Sequence, residues 1–344
     1  MRGAFAALTA WTEALLQRHW WQPRSTWLAR LLAPVAALYG FLRQQLATPA
    51  GPPLPVPVLV VGNVVAGGAG KTPTVIALVA ALQAAGHRPG VVSRGYGRSD
   101  ESVREVRDGD GAAQVGDEPL LIRRRCHVPV WVGRKRSAAA RALCQAHPQV
   151  DVIVSDDGLQ HGALPRQAEL VVFDERGIGN GRLLPAGPLR EPWPGATGAL
   201  RRVLYTAGIA STAVPGALAQ RSLGRAWPLV AWRSGDSSAA VELEALRDRP
   251  LVAVAGLAAP EKFFRMLEAA GLVITRCPQP DHHPYATLPW PAGTSDVITT
   301  EKDAVKLVEH ALRGTRVWVV ALDLQLPADL VAELLALLPP PTAP

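Results

Sequence analysis

Residues 56–73 read VPVLVVGNVVAGGAGKTP, an apolar run followed by a glycine-rich loop and the start of a helix. The run 56–61 suits a strand that is buried on both faces of a parallel sheet. Glycines in the loop can adopt positive φ and let backbone N–H groups approach an anion closely. This order of strand, loop and helix predicts a phosphate-binding loop at the positive end of a helix dipole.

Individual residues of this loop have distinct expected roles. Lys71 supplies a positive charge for the β- and γ-phosphates of a nucleotide, and the Thr72 hydroxyl is placed to ligate Mg²⁺. Val65 stands where the common pattern GxxxxGK[ST] has glycine, so the loop is a GGxGKT variant. The loop alone does not distinguish a kinase from a nucleotide-dependent switch. The residues expected to contact the nucleotide are Gly67, Gly68, Ala69, Gly70, Lys71, Thr72 and Pro73.

From residue 54 onward, short apolar runs alternate with helical stretches, which predicts a parallel sheet covered by helices on both faces. We therefore expect an α/β fold of the phosphate-loop NTPase type at 51–214 and a second, smaller α/β domain at 250–344. Residues 215–249 lack the alternation and are expected to form a linker, with a small hairpin as the alternative. The candidate strands are Val56–Val61, Gly90–Ser93, Val128–Val132, Val152–Ser155, Leu170–Phe173, Val203–Tyr205, Leu251–Ala255, Asp296–Thr299 and Arg316–Ala321, and the candidate helices of the second domain are Pro260–Ala270 and Asp303–Leu312.

The first fifty residues differ in composition from the rest, with four tryptophans, five arginines and one acidic residue. Interfacial helices place tryptophan and leucine among acyl chains and arginine among anionic headgroups. The longest uncharged stretch, Leu31–Leu42, has 12 residues and contains Pro34, whereas crossing a bilayer takes about 20 apolar residues. We expect residues 1–50 to form a helical segment that docks on a membrane. The alternative is a pair of helices packed on the protein's own domain.

Charge and cysteine content narrow the class of protein. The net charge of +7 favours an anionic partner, such as a nucleotide, a nucleic acid or a phospholipid surface, without choosing among them. The three cysteines are far apart and form no CxxC pair. A disulfide framework or a cysteine-based metal site is therefore not expected, and a reducing cytoplasm is the natural compartment.

Two adjacent carboxylates, Asp156 and Asp157, follow the candidate strand Val152–Ser155. An acid at the carboxyl end of a buried strand is where a phosphate-loop enzyme holds Mg²⁺. A simple turn is the alternative, because Asp-Gly is itself a turn signal.

Seven sequence blocks occur in the order GNVVAGGAGKTP (62–73), SRGYGR (93–98), GDEP (116–119), DDGLQH (156–161), LPAGPLRE (184–191), DHH (281–283) and TEKDAVK (300–306). Together they resemble the tetraacyldisaccharide 4′-kinase family, the lipid A 4′-kinases of the Gram-negative envelope. The resemblance implies transfer of the γ-phosphate of ATP, with Mg²⁺, to the 4′-hydroxyl of tetraacyldisaccharide 1-phosphate, giving lipid IVA. It also implies a location at the cytoplasmic face of the inner membrane, with no nucleic acid and no obligate protein partner.

The resemblance also assigns roles to individual residues. In this family the aspartate of GDEP pairs with a histidine of the second domain, which implies that Asp117 and His282 accept the proton of the sugar hydroxyl. His283 is the alternative histidine. A GGxGKT maturation ATPase or GTPase that acts on a protein partner is the alternative function, and it needs no such pair. The implied metal ligands are Thr72, Asp156 and Asp157, and the implied substrate or phosphate contacts are Arg94, Arg136, His161, Arg190 and Glu191.

Overall fold

The computed structural model describes residues 15–22, 26–195, 199–308, 312 and 314–341. Residues 15–20 are helical, and two short helices follow, α1 (Trp27–Leu31) and α2 (Ala33–Gln45). Thr26 begins α1 by accepting a hydrogen bond from the N–H of Ala29. No helix of these residues is long and apolar enough to cross a membrane. The part of the expected docking segment at 1–14 and 23–25 lies outside the described residues.

The first unit is built on an eight-stranded sheet. Its elements in chain order are β1 (Val58–Gly62), α3 (Lys71–Ala84), β2 (Pro89–Ser93), β3 (Arg104–Glu105), α4 (Ala112–Val115), α5 (Asp117–Cys126), β4 (Val130–Val132), α6 (Arg136–Ala146), β5 (Val152–Asp156), β6 (Ala168–Phe173), β7 (Leu200–Tyr205) and β8 (Ala217–Leu218). The strand order is β3-β4-β2-β5-β1-β6-β7-β8, and neighbours are parallel except β3 and β4. The predicted parallel sheet is confirmed.

Strand β1 shows why the sheet carries helices on both faces. Leu59 and Val61 pack in the hydrophobic cluster that includes α3, whereas Val58 and Val60 pack in the cluster that includes Leu143 of α6. Alternate side chains of a strand point to opposite faces, so two covered faces require a continuous apolar run. This burial places the carboxyl end of β1, and the loop that follows it, at the edge of a rigid sheet.

The second unit contains a five-stranded sheet. Its elements are β9 (Gln220–Pro228), α7 (Leu229–Ser234), β10 (Leu251–Ala255), α8 (Pro260–Ala269), β11 (Ile274–Pro278), β12 (Asp296–Thr300), α9 (Glu301–Ala304), β13 (Arg316–Gln325) and α10 (Ala328–Leu335). The order is β11-β10-β12-β13-β9, and only β9 runs antiparallel to its neighbour.

Two expectations about the second unit need correction. The segment 215–249 is expected to be a linker, but it contains β9, which pairs with β13 along its length. As an edge strand, β9 is only partly buried, so its sequence lacks the apolar run of a central strand. The helix expected at Asp303–Leu312 is the short α9, which ends at Ala304, and residues 309–311 lie outside the described residues.

The last helix, α10, returns to the first unit. Its Leu330 and Leu334 are buried in the same cluster as Leu59 of β1. The domain bounds 51–214 and 250–344 stay a prediction, since the two units share this part of their core.

Candidate active site

The glycine-rich loop joins β1 to α3 at the carboxyl edge of the first sheet. Gly67 and Gly70 have φ angles of 90° and 91°, a conformation that is strained for other L-residues. Asn63 donates through Nδ2 to the carbonyl oxygen of Gly67 at 3.0 Å, and its Oδ1 accepts a hydrogen bond from Lys71 Nζ at 3.2 Å. Lys71 Nζ also lies 3.8 Å from a carboxylate oxygen of Asp157. The lysine is therefore held within the loop, beside the acidic end of β5.

Asp156 ends β5 and is buried. Its Oδ2 accepts a hydrogen bond from Ser93 Oγ at 3.0 Å, whereas its Oδ1 has no partner among the described residues. Burial raises the pKa of this carboxyl to about 7, and the negative charges of Glu118 and Asp157 add to the effect. A buried carboxylate oxygen without a partner, next to two further acids, is suited to binding a cation.

Asp157 has a different environment, although it is the next residue. Arg190 Nη1 lies 3.3 Å from each of its carboxylate oxygens. Burial alone would raise the pKa of Asp157, but the positive charges of Lys71 and Arg190 outweigh burial and lower it. Asp157 is therefore an ionised carboxylate that keeps two cations at the edge of the phosphate loop.

A carboxylate–histidine pair joins the two units. Asp117 is the first residue of α5 and is buried, and His282 lies between β11 and β12. Asp117 Oδ2 is 2.9 Å from His282 Nδ1. An ionised carboxylate can only accept hydrogen bonds, so Nδ1 carries the proton and Nε2 keeps its lone pair when the ring is neutral. His283 instead accepts a hydrogen bond from the N–H of Tyr285 at 3.1 Å, so His282 is the partner of Asp117.

The charges around this pair stabilise its ionised form. Burial would raise the pKa of Asp117, but the hydrogen bond from His282 and the charges of Lys302 and Lys306 lower it. The hydrogen bond with Asp117 raises the pKa of His282, against the opposing effect of burial. Asp117 therefore fixes the orientation of the imidazole and favours its positively charged form.

A cleft between the units opens beside the phosphate loop. Residues 68–73 form one side, and residues 257–259 and α8 form the other. A Cβ atom added to Gly68 would lie 3.2 Å from the Cβ of Ala258, so the second unit comes into contact with the loop. Apolar walls with a few convergent polar groups are typical of small-molecule sites. The apolar side chains that line the cleft are Ile76, Leu121, Leu257, Phe263, Met266 and Leu322.

Comparisons with known proteins show the family to which this chain is similar. The model of the tetraacyldisaccharide-1-phosphate 4′-kinase family (LpxK) matches residues 28–339. A tetraacyldisaccharide 4′-kinase of Leptothrix cholodnii is 57% identical over 290 residues, which covers 83% of each chain. One of Methylibium petroleiphilum is 52% identical over 323 residues, which covers 90% of this chain and 89% of the relative. The chain belongs to this family.

A solved structure supports the fold assignment. The LpxK of Aquifex aeolicus, described as an "apo" form in complex with ATP, has a TM-score of 0.74 and 26% identity, and the match covers 91% of this chain and 100% of that chain. The predicted family, the α/β fold class and the class of kinase that phosphorylates a hydroxyl group are confirmed. The alternative of a maturation ATPase or GTPase is not favoured.

Four of the predicted phosphate or substrate residues of this LpxK-family kinase lie near one another. Arg136 is buried at the start of α6 and donates through Nη2 to the carbonyl oxygen of Asp157 at 3.4 Å. Burial lowers the pKa of His161 to about 4, and the positive charges of Arg136 and Arg94 contribute. With Arg190 on Asp157, the kinase gathers three arginines and a neutral histidine next to the phosphate loop.

Glu191 has a different location from these residues. Its Oε2 accepts hydrogen bonds from Arg43 Nη2 at 2.7 Å and from Gln160 Nε2 at 3.1 Å, and its Oε1 lies 3.7 Å from Arg201. Because Arg43 belongs to α2, Glu191 attaches the amino-terminal helices of the kinase to the first unit. A carboxylate already paired with two arginines is poorly suited to a phosphate, so of the expected substrate or phosphate contact only a contact with the substrate stays a prediction for Glu191.

Two neighbours of the Asp117–His282 pair are missing from the sequence prediction. Glu118 accepts a hydrogen bond from Lys302 Nζ at 3.3 Å, across the boundary between the units. The ring of Tyr96 lies 5.0 Å from the ring of His282, measured between centroids. Both residues belong to blocks that carry the family resemblance, GDEP and SRGYGR, which is the signal that could have found them.

Proposed function

We propose that this kinase transfers the γ-phosphate of ATP to the 4′-hydroxyl of tetraacyldisaccharide 1-phosphate, forming lipid IVA and ADP. The Asp117–His282 pair carries this proposal, because it places a proton acceptor at the boundary of a cleft that is lined by a phosphate loop. The ATP complex of the Aquifex aeolicus relative supports ATP as the phosphate donor.

In the proposed reaction, His282 Nε2 takes the proton of the 4′-hydroxyl as the oxygen attacks the γ-phosphorus. An O–P bond forms there, and the bond from the γ-phosphorus to the bridging oxygen breaks, leaving its electron pair on ADP. The ionised Asp117 stabilises the imidazolium that results. Lys71 and Arg190, which both lie beside Asp157 at the edge of the phosphate loop, would neutralise phosphate charge as the nucleotide binds.

The residues around Asp156 fit a magnesium ion. Asp156 Oδ1 has no hydrogen-bond partner among the described residues, and Thr72 lies in the first turn of α3. Mg²⁺ is usually held by one or two carboxylates together with water and substrate phosphates, and when bound it neutralises phosphate charge. Within the described ranges, no group of three or more His, Cys, Asp or Glu could hold a metal ion. The proposed site, Thr72 and Asp156, therefore depends on ligands that the nucleotide supplies.

The exposed face of α1 and α2 supports docking on a membrane surface, and the family resemblance implies that this surface is the cytoplasmic face of the inner membrane. Large apolar side chains recur there every three or four residues, and each is between 46% and 70% exposed. An exposed apolar stripe of this kind is typical of an interfacial helix. The opposite side is attached to the first unit through Arg43. The side chains of the stripe are Trp27, Leu31, Val35, Leu38 and Leu42.

The activity is tested by incubating the purified kinase with radiolabelled ATP, Mg²⁺ and tetraacyldisaccharide 1-phosphate in detergent micelles. We expect label in the lipid, and none when a 4′-deoxy acceptor replaces the substrate. Release of inorganic phosphate at the same rate with and without lipid, and no labelled lipid, would instead point to an ATPase.

The membrane location is tested with Leu38→Glu and the control Gln44→Glu, which adds the same charge on another side of α2. We expect Leu38→Glu to weaken binding to anionic phospholipid vesicles at least tenfold in a flotation assay, since it places a charge among acyl chains. Gln44→Glu should bind within about threefold of wild type. Equal binding by Leu38→Glu and wild type would refute the docking face.

A further inference from the structure

Arg221 lies at the point where the chain passes from one sheet to the other. Strand β8 ends at Leu218 in the first sheet, and β9 begins at Gln220 in the second. Only Ala219 separates the two strands. Arg221 therefore belongs to the second sheet but lies only three residues after the last strand of the first sheet.

The guanidinium of Arg221 contacts the phosphate loop. Its Nη2 donates a hydrogen bond to the hydroxyl of Thr206 and lies 3.5 Å from the carbonyl oxygen of Ala69. A Cβ atom at Gly70 would lie 2.5 Å from the same nitrogen. The absence of a side chain at Gly70 therefore allows an arginine of the second unit to approach the loop backbone next to Lys71.

Within the part of the chain that the structure describes, the guanidinium of Arg221 forms no salt bridge with a carboxylate. Its hydrogen bonds within the described part of the chain are those to Thr206 and Ala69. Asp174, the acid with the largest electrostatic effect on Arg221, is already paired with Arg176 at 2.9 Å and with Lys262 at 3.0 Å. Burial lowers the pKa of Arg221, although the charges of nearby acids oppose it. A partly buried cation without a counterion is costly unless an anion binds beside it.

The other two nitrogens of Arg221 remain available. Neither Nε nor Nη1 is hydrogen-bonded to a described residue, and neither is among the buried atoms that lack a partner. Arg221 also lines the cleft together with residues 68–73. One nitrogen is thus fixed on the protein while two are open to whatever occupies the cleft.

We propose that Arg221 binds the α- or β-phosphate of the nucleotide from the second unit. The backbone of a phosphate loop around its last glycine lies against the α- and β-phosphates, and Lys71 reaches further to the γ-phosphate. Arg221 therefore contacts the part of the nucleotide that stays with ADP. This inference rests on the proposed nucleotide site, and it makes Arg221 a binding residue rather than one that acts on the transferred group.

The test is the dissociation constant of ATP, ADP and adenosine, measured by calorimetry and, for weak binding, by competition. Arg221→Gln should weaken ATP and ADP about 10- to 100-fold, as expected for the loss of one hydrogen bond with a charged group. Adenosine, which has no phosphate, should bind as in wild type. The control is Arg225→Gln, since Arg225 lies on the same strand outside the cleft and is paired with Glu242, and it should change ATP binding less than threefold.

Arg221→Met, which keeps the apolar stem, repeats the measurement if the glutamine variant does not fold. Unchanged ATP and ADP binding in a folded variant overturns the inference, as does an equal loss for adenosine, which would mean that Arg221 only shapes the cleft. Lipid phosphorylation by wild type is measured in parallel. If it is absent, the proposed lipid kinase activity fails, and the nucleotide titrations still decide the role of Arg221.

Discussion

The two ends of α5 both contact the second unit through charged side chains. They differ in whether a group remains free to accept a proton. At the amino-terminal end, Asp117 binds Nδ1 of His282, and Nε2 of that ring keeps its lone pair. At the carboxyl end, Arg125 binds Glu301 through Nη1 and Asp323 through Nη2, at 2.7 Å each. The amino-terminal end presents a proton acceptor, whereas the charged groups at the carboxyl end are paired with one another.

The difference separates the proposed catalytic pair from an ion-pair network that joins the two units, on a single helix. Burial would lower the pKa of Arg125, but Glu301 and Asp323 outweigh burial and raise it. Glu301 also accepts a hydrogen bond from Trp232 Nε1 at 3.0 Å. Eight residues of helix set the two ends about 12 Å apart. Because a helix is rigid over that distance, we expect the Arg125 network to influence where His282 meets Asp117.

The largest expected effect comes from removing the charge of Asp117, at the amino-terminal end of α5. Asp117→Asn keeps the shape of the side chain but no longer stabilises the imidazolium, so kcat should fall about 10²- to 10⁴-fold. The dissociation constant of ATP should change little. Asp108→Asn, which removes a carboxylate paired with Arg123 on the surface, is the control and should keep kcat. A kcat for Asp117→Asn within threefold of wild type would remove Asp117 from the chemistry.

An intermediate effect is expected from a substitution at the carboxyl end of α5. Arg125→Gln leaves two carboxylates without their shared partner, which should cost roughly 1–3 kcal/mol of unfolding free energy, because the arginine is only partly buried. We expect kcat to fall about tenfold as the position of His282 loosens. Arg123→Gln, on the same helix, breaks an exposed pair with Asp108 and should change both quantities little.

Urea unfolding and steady-state kinetics measure the two quantities separately. If Arg125→Gln lost stability but kept the wild-type kcat, the two ends of α5 would be independent of each other. The Asp117–His282 pair and the Arg125 network would then be neighbouring features with no coupling through the helix.

The smallest expected effect is a displacement of the pH profile. The hydrogen bond with Asp117 raises the pKa of His282 above its ordinary value of 6.5, with Asp281 adding and burial and Lys302 opposing. A general base must be unprotonated, so kcat/KM should fall as the pH drops through this raised pKa. Asp117→Asn should move the acidic limb to lower pH, whereas Arg125→Gln should leave it in place. A limb that Asp117→Asn does not move would show that another group titrates.

The same pKa shift contributes to folding stability with the opposite dependence on pH. Because the folded-state pKa of His282 is raised, its contribution is fully present below pH 6.5. It is lost as the pH rises through the raised value. The contact between the units is thus more stable at low pH, where His282 is protonated and less active as a base.

Local sequence patterns predicted the parts of the molecule that depend on neighbours in the chain. The apolar run before Gly62, the glycines after it and the helix of α3 are consecutive, so their periodicity and turn chemistry could be read directly. Strand β9 was harder, because an edge strand has one covered side and its apolar pattern is weak. Its assignment depends on pairing with β13, about a hundred residues away.

The candidate site divides in the same way. The phosphate-loop residues followed from their own motif, whereas Asp117 and His282 are 165 residues apart and only the family resemblance joined them. Arg125 and Glu301 are 176 residues apart; Glu301 lies in the TEKDAVK block, but Arg125 lies in none of the seven blocks, so the sequence did not indicate their contact. Arg221 looks like one more arginine in an arginine-rich chain. The proposed role of Arg221 depends on the phosphate loop, which only the fold brings next to it.

The last helix, α10, gives the second unit a further attachment to the first. The chain leaves the first sheet at Ala219, and it comes back where Leu330 and Leu334 of α10 enter the first unit's core. Val305 and Leu324 of the second unit are buried in the same cluster, so the two units share a core and are not joined at two points alone. We therefore expect them to unfold in one cooperative transition, in which the Asp117–His282 contact is lost together with the fold.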